Sequence, residues 1–210
     1  DYYNELPFAR RVADLFHTQH HEIVVRPDVV ALLPRLLWHM DEPLSDTAFI
    51  TTYLVSEFAR RDVTVILSGV GGDELFGGYR RYLGNHYQSY FDRLPAWARR
   101  AAAAVGKRLP SDRHTPLLNL SRLAKGFLES AGLSFEERYR AYVQVYPARE
   151  VQRLLRRDGA AQPDRIAEAF RYAGGGDALN RMLAVDAETQ LPDDLLMLTD
   201  KLSMAPSPEC

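Results

Sequence analysis

The first third of the chain alternates between apolar residues at helical spacing and short runs typical of strands. Helical spacing covers three segments: residues 4–16, 29–40 and 49–60. Two short runs are predicted to be strands: residues 21–25 (HEIVV) and 63–67 (VTVIL). Asp28 is expected to cap the second helix, and Asp46 or Thr47 the third. Because strands separated by helices favour a parallel sheet with flanking helices, this region is predicted to have an α/β fold.

The character of the chain changes after Tyr79, where Val, Ile and Thr become scarce and Leu, Ala and Arg dominate. Seven segments there are predicted to be helices: 80–91, 95–107, 117–129, 135–144, 149–156, 164–173 and 177–190. Prolines separate most of them, and three glycines at 174–176 are interpreted as a helix–helix connection. The second region is therefore predicted to be all-helical.

Composition and charge argue against several classes of protein, including nucleic-acid-binding, membrane-spanning and disulfide-rich proteins. The 210 residues are 46% hydrophobic and carry a net charge of −2, so general attraction to nucleic acid or an anionic membrane is not expected. No apolar run approaches the roughly 20 residues of a membrane span, and no signal peptide is recognisable, which predicts a cytoplasmic location. The single cysteine, Cys210, excludes an internal disulfide. The chain lacks an initiator Met and stops directly after a dense motif, so it is interpreted as an excised piece.

The most unusual stretch is LSGVGGDELFGGYRRY, residues 67–82, at the end of the second predicted strand. Ligands bind at the carboxyl ends of parallel strands, and glycines there let backbone amides converge on an anion. Asp73 and Glu74 would repel a bare phosphate but suit one that carries Mg²⁺. The motif therefore predicts a nucleotide or pyrophosphate site with Mg²⁺. The alternative is a tight turn in which Asp73 or Glu74 caps a helix.

The full string SGVGGDELFGGYRRY is far more specific than its composition, and it closely resembles the signature of glutamine-dependent asparagine synthetases. Two further stretches look like segments of that family in the right order: DEPLSDTAFITTYLVSEFAR, residues 41–60, and LPDDLLMLTDKLSMAPSPEC, residues 191–210. The upstream ARRVADLFHTQHHEIVV is also similar. The resemblance therefore extends over the whole chain, with three motifs.

This resemblance implies the synthetase domain of the family, with a fold of the ATP pyrophosphatase type: a parallel sheet with flanking helices, followed by a helical region. Residues 1–90 would form a partial nucleotide-binding core, and residues 91–210 the helical portion of the same domain. The implied reaction uses ATP and Mg²⁺ to adenylate the β-carboxylate of aspartate. Ammonia, released from glutamine by a separate glutaminase domain, then displaces AMP to give asparagine. A homodimer is left open.

By the same resemblance, Asp73 is assigned as a Mg²⁺ ligand and a catalytic residue. Five residues before it are assigned to the nucleotide: Ser68, Gly69, Val70, Gly71 and Gly72. Glu74 is the second catalytic candidate beside the phosphates. Lys201 is the third, because its ammonium group could reach a phosphate or a substrate carboxylate; a surface ion pair is the alternative.

The sequence also departs from the family pattern. The loop Ser-Gly-Gly-x-Asp-Ser lies upstream of this chain in the family, so the isolated 210 residues are expected to be inactive. Many members carry an acidic residue in place of Val70, which leaves the substrate open. The alternatives are an adenylating amide ligase similar to a β-lactam synthetase or a peptide cyclase, and an inactive homologue.

Other residues have plainer interpretations beside functional ones. Three acidic residues near Pro43 either line a pocket or serve turn chemistry: Asp41, Glu42 and Asp46. Asp193 is predicted to cap the late helix. The adjacent His20 and His21 would point to opposite faces of a strand and make a poor metal pair. The aromatic run from Phe76 to Phe91 is interpreted as core.

Overall fold

The computed structural model describes residues 4–26, 28–42, 46–110, 116–130, 132–146, 148–155 and 164–206. The helices in chain order are α1 (Leu6–Phe16), α2 (Val29–Met40), α3 (Ala48–Ala59), α4 (Gly72–Phe76), α5 (Arg80–Phe91), α6 (Ala96–Gly106), α7 (Pro116–Glu129), α8 (Phe135–Val143), α9 (Ala148–Leu155), α10 (Arg165–Tyr172), α11 (Ala178–Glu188) and α12 (Met197–Met204). A π-helical segment, Leu191–Leu196, lies between α11 and α12. The chain divides into two compact units. The first is Asp1–Val70 with Gln190–Cys210, and the second is Gly71–Thr189.

The core of the first unit forms where α12 packs against α2 and α3. Its most deeply buried apolar side chains are Leu36, Met40, Tyr53 and Leu202. Asp28 caps α2 as predicted, since its Oδ1 accepts a hydrogen bond of 3.2 Å from the amide of Ala31. Apolar residues distant in sequence therefore share one core.

The core of the second unit is built from α5, α8, α10 and α11. It buries the apolar side chains of Tyr82, Tyr139, Ala169, Phe170, Met182 and Val185. The rings of Tyr139 and Phe170 meet edge to face with centroids 5.1 Å apart, an arrangement that aromatic quadrupoles favour. Of the aromatic run predicted to be core, Tyr82 is buried, but Phe76, Tyr87 and Tyr90 are exposed.

The predicted parallel sheet with flanking helices is wrong: the described residues contain no strand. Residues 21–25 and 63–67 have no regular secondary structure, and Leu67 is 98% exposed. A helix satisfies its own backbone groups, whereas a strand exists only through pairing with another strand. Neither run has such a partner among the described residues, so strand-like composition alone did not make them strands.

The helical predictions are confirmed. Each of the ten predicted helices corresponds to one of the helices α1–α3 and α5–α11, with ends shifted by a few residues at most. The division into residues 1–90 and 91–210 stays a prediction. No described helix has the length and apolar character that crossing a membrane requires.

Candidate active site

The glycine motif begins as an exposed turn and continues as a short helix. The hydroxyl of Ser68 accepts a hydrogen bond of 3.1 Å from the amide of Val70, which closes the turn. Gly71 precedes α4 and has a φ of 91°, a left-handed conformation that favours glycine. Asp73 follows in the first turn of α4, where its carboxylate is exposed.

Two further glycines hold the end of α4 against Asp73. The amides of Gly77 and Gly78 both donate to the Asp73 carbonyl oxygen, at 2.9 and 3.1 Å. Gly77 has a φ of 73° and ends the helix in the left-handed conformation. A β-carbon on Gly78 would lie 1.9 Å from Asp73 Oδ1, so only glycine fits there without moving that carboxylate. The glycines therefore set the position of Asp73.

Glu74 lies beside Asp73 in sequence but has a different environment. Its side chain is buried, and Oε1 accepts a hydrogen bond from the Tyr79 hydroxyl. Burial, with the hydrogen bond and charge of Glu74 added, raises the pKa of Tyr79. Of the two adjacent carboxylates, only that of Asp73 is open to solvent. Neither residue is the N-cap of α4, which is Gly71.

A buried polar cluster lies next to the motif in the second unit. The Asp186 carboxylate, fully buried, accepts from Arg81 Nη2 at 2.8 Å and from the Tyr139 hydroxyl at 2.6 Å. The Tyr82 hydroxyl donates to the other carboxylate oxygen. Burial lowers the pKa of Arg81, but the charge and hydrogen bond of Asp186 outweigh it, so the net pKa is raised. Both oxygens of the buried Asp186 carboxylate are therefore hydrogen-bonded within the cluster.

Lys201 belongs to the first unit, on α12. Its ammonium group donates to Asp41, and this hydrogen bond, with the Asp41 charge, raises the pKa of Lys201. Asp194 lies on the π-helical segment. Burial, and secondarily the charge of Asp46, raises the pKa of Asp194. Asp46 also accepts from the Ala48 amide at 2.8 Å, as expected near the start of α3.

The predicted nucleotide residues are distributed between the two units. The segment Asp1–Val70 of the first unit ends with Ser68, Gly69 and Val70. The second unit begins with Gly71 and Gly72. A β-carbon at Gly69 or Gly72 would meet nothing within 4 Å, so the space beside both is open. Within the described ranges, no group of three or more His, Cys, Asp or Glu side chains is arranged to hold a metal ion.

The single exposed carboxylate of Asp73 fits Mg²⁺ that arrives with phosphates, because such a cation takes one or two protein carboxylates and fills its other positions with phosphate oxygens and water. Sequence reasoning included Tyr79 and Arg81 in the motif but gave them no role in the site, and it missed Asp186 altogether. One signal was present: Asp186 lies four residues after Met182, on the apolar face of α11, where an unpaired carboxylate would be costly.

Comparison with known proteins decides the family. The family model for asparagine synthase matches residues 1–210. The chain belongs to the asparagine synthase family. The resemblance seen in the sequence is thereby confirmed, and the family is one of ligase enzymes.

Individual relatives agree along the chain. A Bacillus subtilis protein named asparagine synthetase (glutamine-hydrolyzing) 1 is 29% identical over 99% of this chain and 32% of its own length. A Mycobacterium tuberculosis protein named "Putative asparagine synthetase" (glutamine-hydrolyzing) is 33% identical over 99% of this chain and 31% of its own length. The chain thus spans about a third of these relatives. No solved structure matches it significantly.

Proposed function

We propose that the protein containing this chain is an ATP-dependent asparagine synthetase. In the first step, the β-carboxylate of aspartate attacks the α-phosphorus of ATP, giving aspartyl adenylate and pyrophosphate. In the second, ammonia attacks the acyl carbon and AMP leaves, giving asparagine. The family membership and the names of the relatives support this reaction class.

One observation carries the proposal: the glycine motif exposes Asp73 and withdraws Glu74. Gly71, Gly77 and Gly78 fix the short helix that bears Asp73. Mg²⁺ bound there would neutralise the charge that grows on departing pyrophosphate. Asp73 is the residue that would hold it, and the resemblance supports a nucleotide-binding role for residues 68–72.

The remaining candidates keep narrower roles within the proposal. Lys201 is proposed to bind a phosphate or the substrate carboxylate. Its hydrogen bond to Asp41 would have to break for this to happen. Glu74 is proposed to stabilise the position of helix α4, because its buried carboxylate accepts a hydrogen bond from the Tyr79 hydroxyl. Ammonia from glutamine, a cytoplasmic location and a homodimer remain predictions from the resemblance and the sequence.

The test is ATP–pyrophosphate exchange by the full-length protein with and without aspartate. We expect aspartate-dependent exchange that falls by roughly 100-fold or more in Asp73→Ala, the usual loss when one group that stabilises developing charge is removed. Asp62→Ala, which removes another exposed carboxylate, is the matched control and should retain wild-type exchange.

Two outcomes would contradict the proposal. Exchange that requires a different carboxylic acid would favour an adenylating ligase related to β-lactam synthetases or peptide cyclases, consistent with Val70 in place of an acidic residue. No exchange with any acid, in a folded protein, would indicate an inactive homologue.

A further inference from the structure

The buried ion pair between Arg81 and Asp186 needs a reason beyond stability. Both side chains are largely or fully removed from solvent, with exposures of 13% and 0%. Burying two charges costs several kcal/mol per ion, and apolar replacements often give an equally stable protein. Two tyrosine hydroxyls complete the hydrogen bonding of Asp186, which makes its position unusually well determined.

A short series of contacts leads from this pair to the glycine motif. The Arg81 guanidinium carbon lies 4.1 Å from the centroid of the Tyr79 ring, a cation–π contact. The Tyr79 hydroxyl in turn donates to Glu74, which adjoins Asp73 in α4. The same helix that carries Asp186, α11, also packs against α4 and α5.

We infer that Asp186 is a positioning residue for Asp73: it holds Arg81 against Tyr79, which fixes Glu74 and thereby the orientation of α4. The inference rests on the proposed function, in which Asp73 binds Mg²⁺ with the pyrophosphate. Residues that orient a metal-binding carboxylate typically alter metal affinity by 10–100-fold when they are replaced. Asp186 would act in this way without touching the metal or the substrates.

The decisive variant is Asp186→Asn in the full-length protein, which keeps the size of the side chain and removes its charge. We expect the Mg²⁺ concentration for half-maximal ATP–pyrophosphate exchange to rise about 10–100-fold, and the exchange rate to recover at saturating Mg²⁺. In protein without Mg²⁺ or ATP, hydrogen exchange of the amides of residues 71–82 should accelerate. A merely structural role would lower the folded fraction and leave the Mg²⁺ requirement of the remaining enzyme unchanged.

A second variant guards against misfolding, since Asp186→Asn leaves the buried Arg81 charge without its counter-charge. Tyr79→Phe keeps the ring beneath Arg81 and removes only the hydroxyl that binds Glu74. It should show the same two changes in a protein with both charges in place. The matched control is Asp92→Asn, which breaks the ion pair to the buried Arg138, at 3.3 Å, in the same unit. It should change neither measurement.

The inference is overturned if the folded variants Tyr79→Phe and Asp186→Asn keep the wild-type Mg²⁺ requirement of pyrophosphate exchange and the wild-type rate of amide hydrogen exchange in residues 71–82. It is equally overturned if Asp92→Asn shifts both. Failure of the proposed function is a separate result: the wild-type protein would then give no aspartate-dependent exchange. Amide exchange of the metal-free protein would still show whether Asp186 fixes the motif.

Discussion

Gly78 lies so close to the Asp73 side chain that no β-carbon fits between them. In Gly78→Ala the new methyl group would lie 1.9 Å from Asp73 Oδ1 and 3.3 Å from Asp73 Cα, so the carboxylate has to turn away. Because the exposed carboxylate can rotate and the Asp73 backbone has to shift only slightly, we expect a loss of about 1 kcal/mol in the free energy of unfolding, the low end for overpacking. We also expect the Mg²⁺ concentration for half-maximal pyrophosphate exchange to rise, since the Asp73 carboxylate leaves its position. Urea unfolding and Mg²⁺ titration measure the two effects.

Gly72→Ala is the stability control for Gly78→Ala. A β-carbon at Gly72 meets nothing within 4 Å, and the residue is the first of α4 in an ordinary backbone conformation. Alanine there should leave the free energy of unfolding unchanged or raise it by about 0.5 kcal/mol. Equal destabilisation of both variants would show that the contact between Gly78 and Asp73 is not the cause.

At this scale the sequence shows the glycine motif and its two carboxylates, whereas the packing around them could not be predicted, for a physical reason. The order of glycines and carboxylates pointed to Asp73, which the structure exposes in a fixed turn. Nothing in that order shows that the adjacent Glu74 is buried, because burial depends on tertiary packing, such as that of α11 against α4. The partnership of Arg81 with Asp186 joins distant parts of the chain, and local patterns carry no information about such pairs.

Among the elements, α11 carries Asp186 of the polar cluster, and Asp177 caps its beginning. The Asp177 Oδ1 accepts from the amides of Leu179 and Asn180, at 2.9 and 3.0 Å. Asp177→Ala should lower the free energy of unfolding by about 1 kcal/mol, while Asp177→Asn, which keeps an acceptor oxygen, should cost less. Urea unfolding of the three proteins measures this, and equal losses in both variants would contradict capping.

The predicted helices are present in the structure, whereas the predicted strands are absent from the described residues. The helical period located α2 at residues 29–40, the limits that the structure has, because a helix needs only its own backbone and one apolar face. The runs at 21–25 and 63–67 have strand-like composition, but a strand depends on a partner that composition does not supply. The π-helical segment Leu191–Leu196 was also not predicted, since its hydrogen-bond register leaves no clear pattern in the sequence.

Across the whole molecule, the first unit is discontinuous: its late helix α12 completes a core begun by α2 and α3. The Arg35 guanidinium adds a hydrogen bond of 3.2 Å to the carbonyl oxygen of Ala205, which ties the end of α12 to α2. The segment with Lys201 is therefore held by packing on residues far earlier in the sequence. Contacts of this kind are long-range and form only when the unit folds as a whole.

Leu202→Ala tests this architecture, because Leu202 is fully buried where α12 meets α2 and α3. The cavity should cost about 2–5 kcal/mol of unfolding free energy, and amide exchange should accelerate in α2 and α3 as well as in α12. Met204→Ala removes a 55% exposed side chain from the same helix and serves as the control, with little expected change. If Leu202→Ala accelerated exchange in α12 alone, α12 would not be part of the cooperative core that contains α2 and α3.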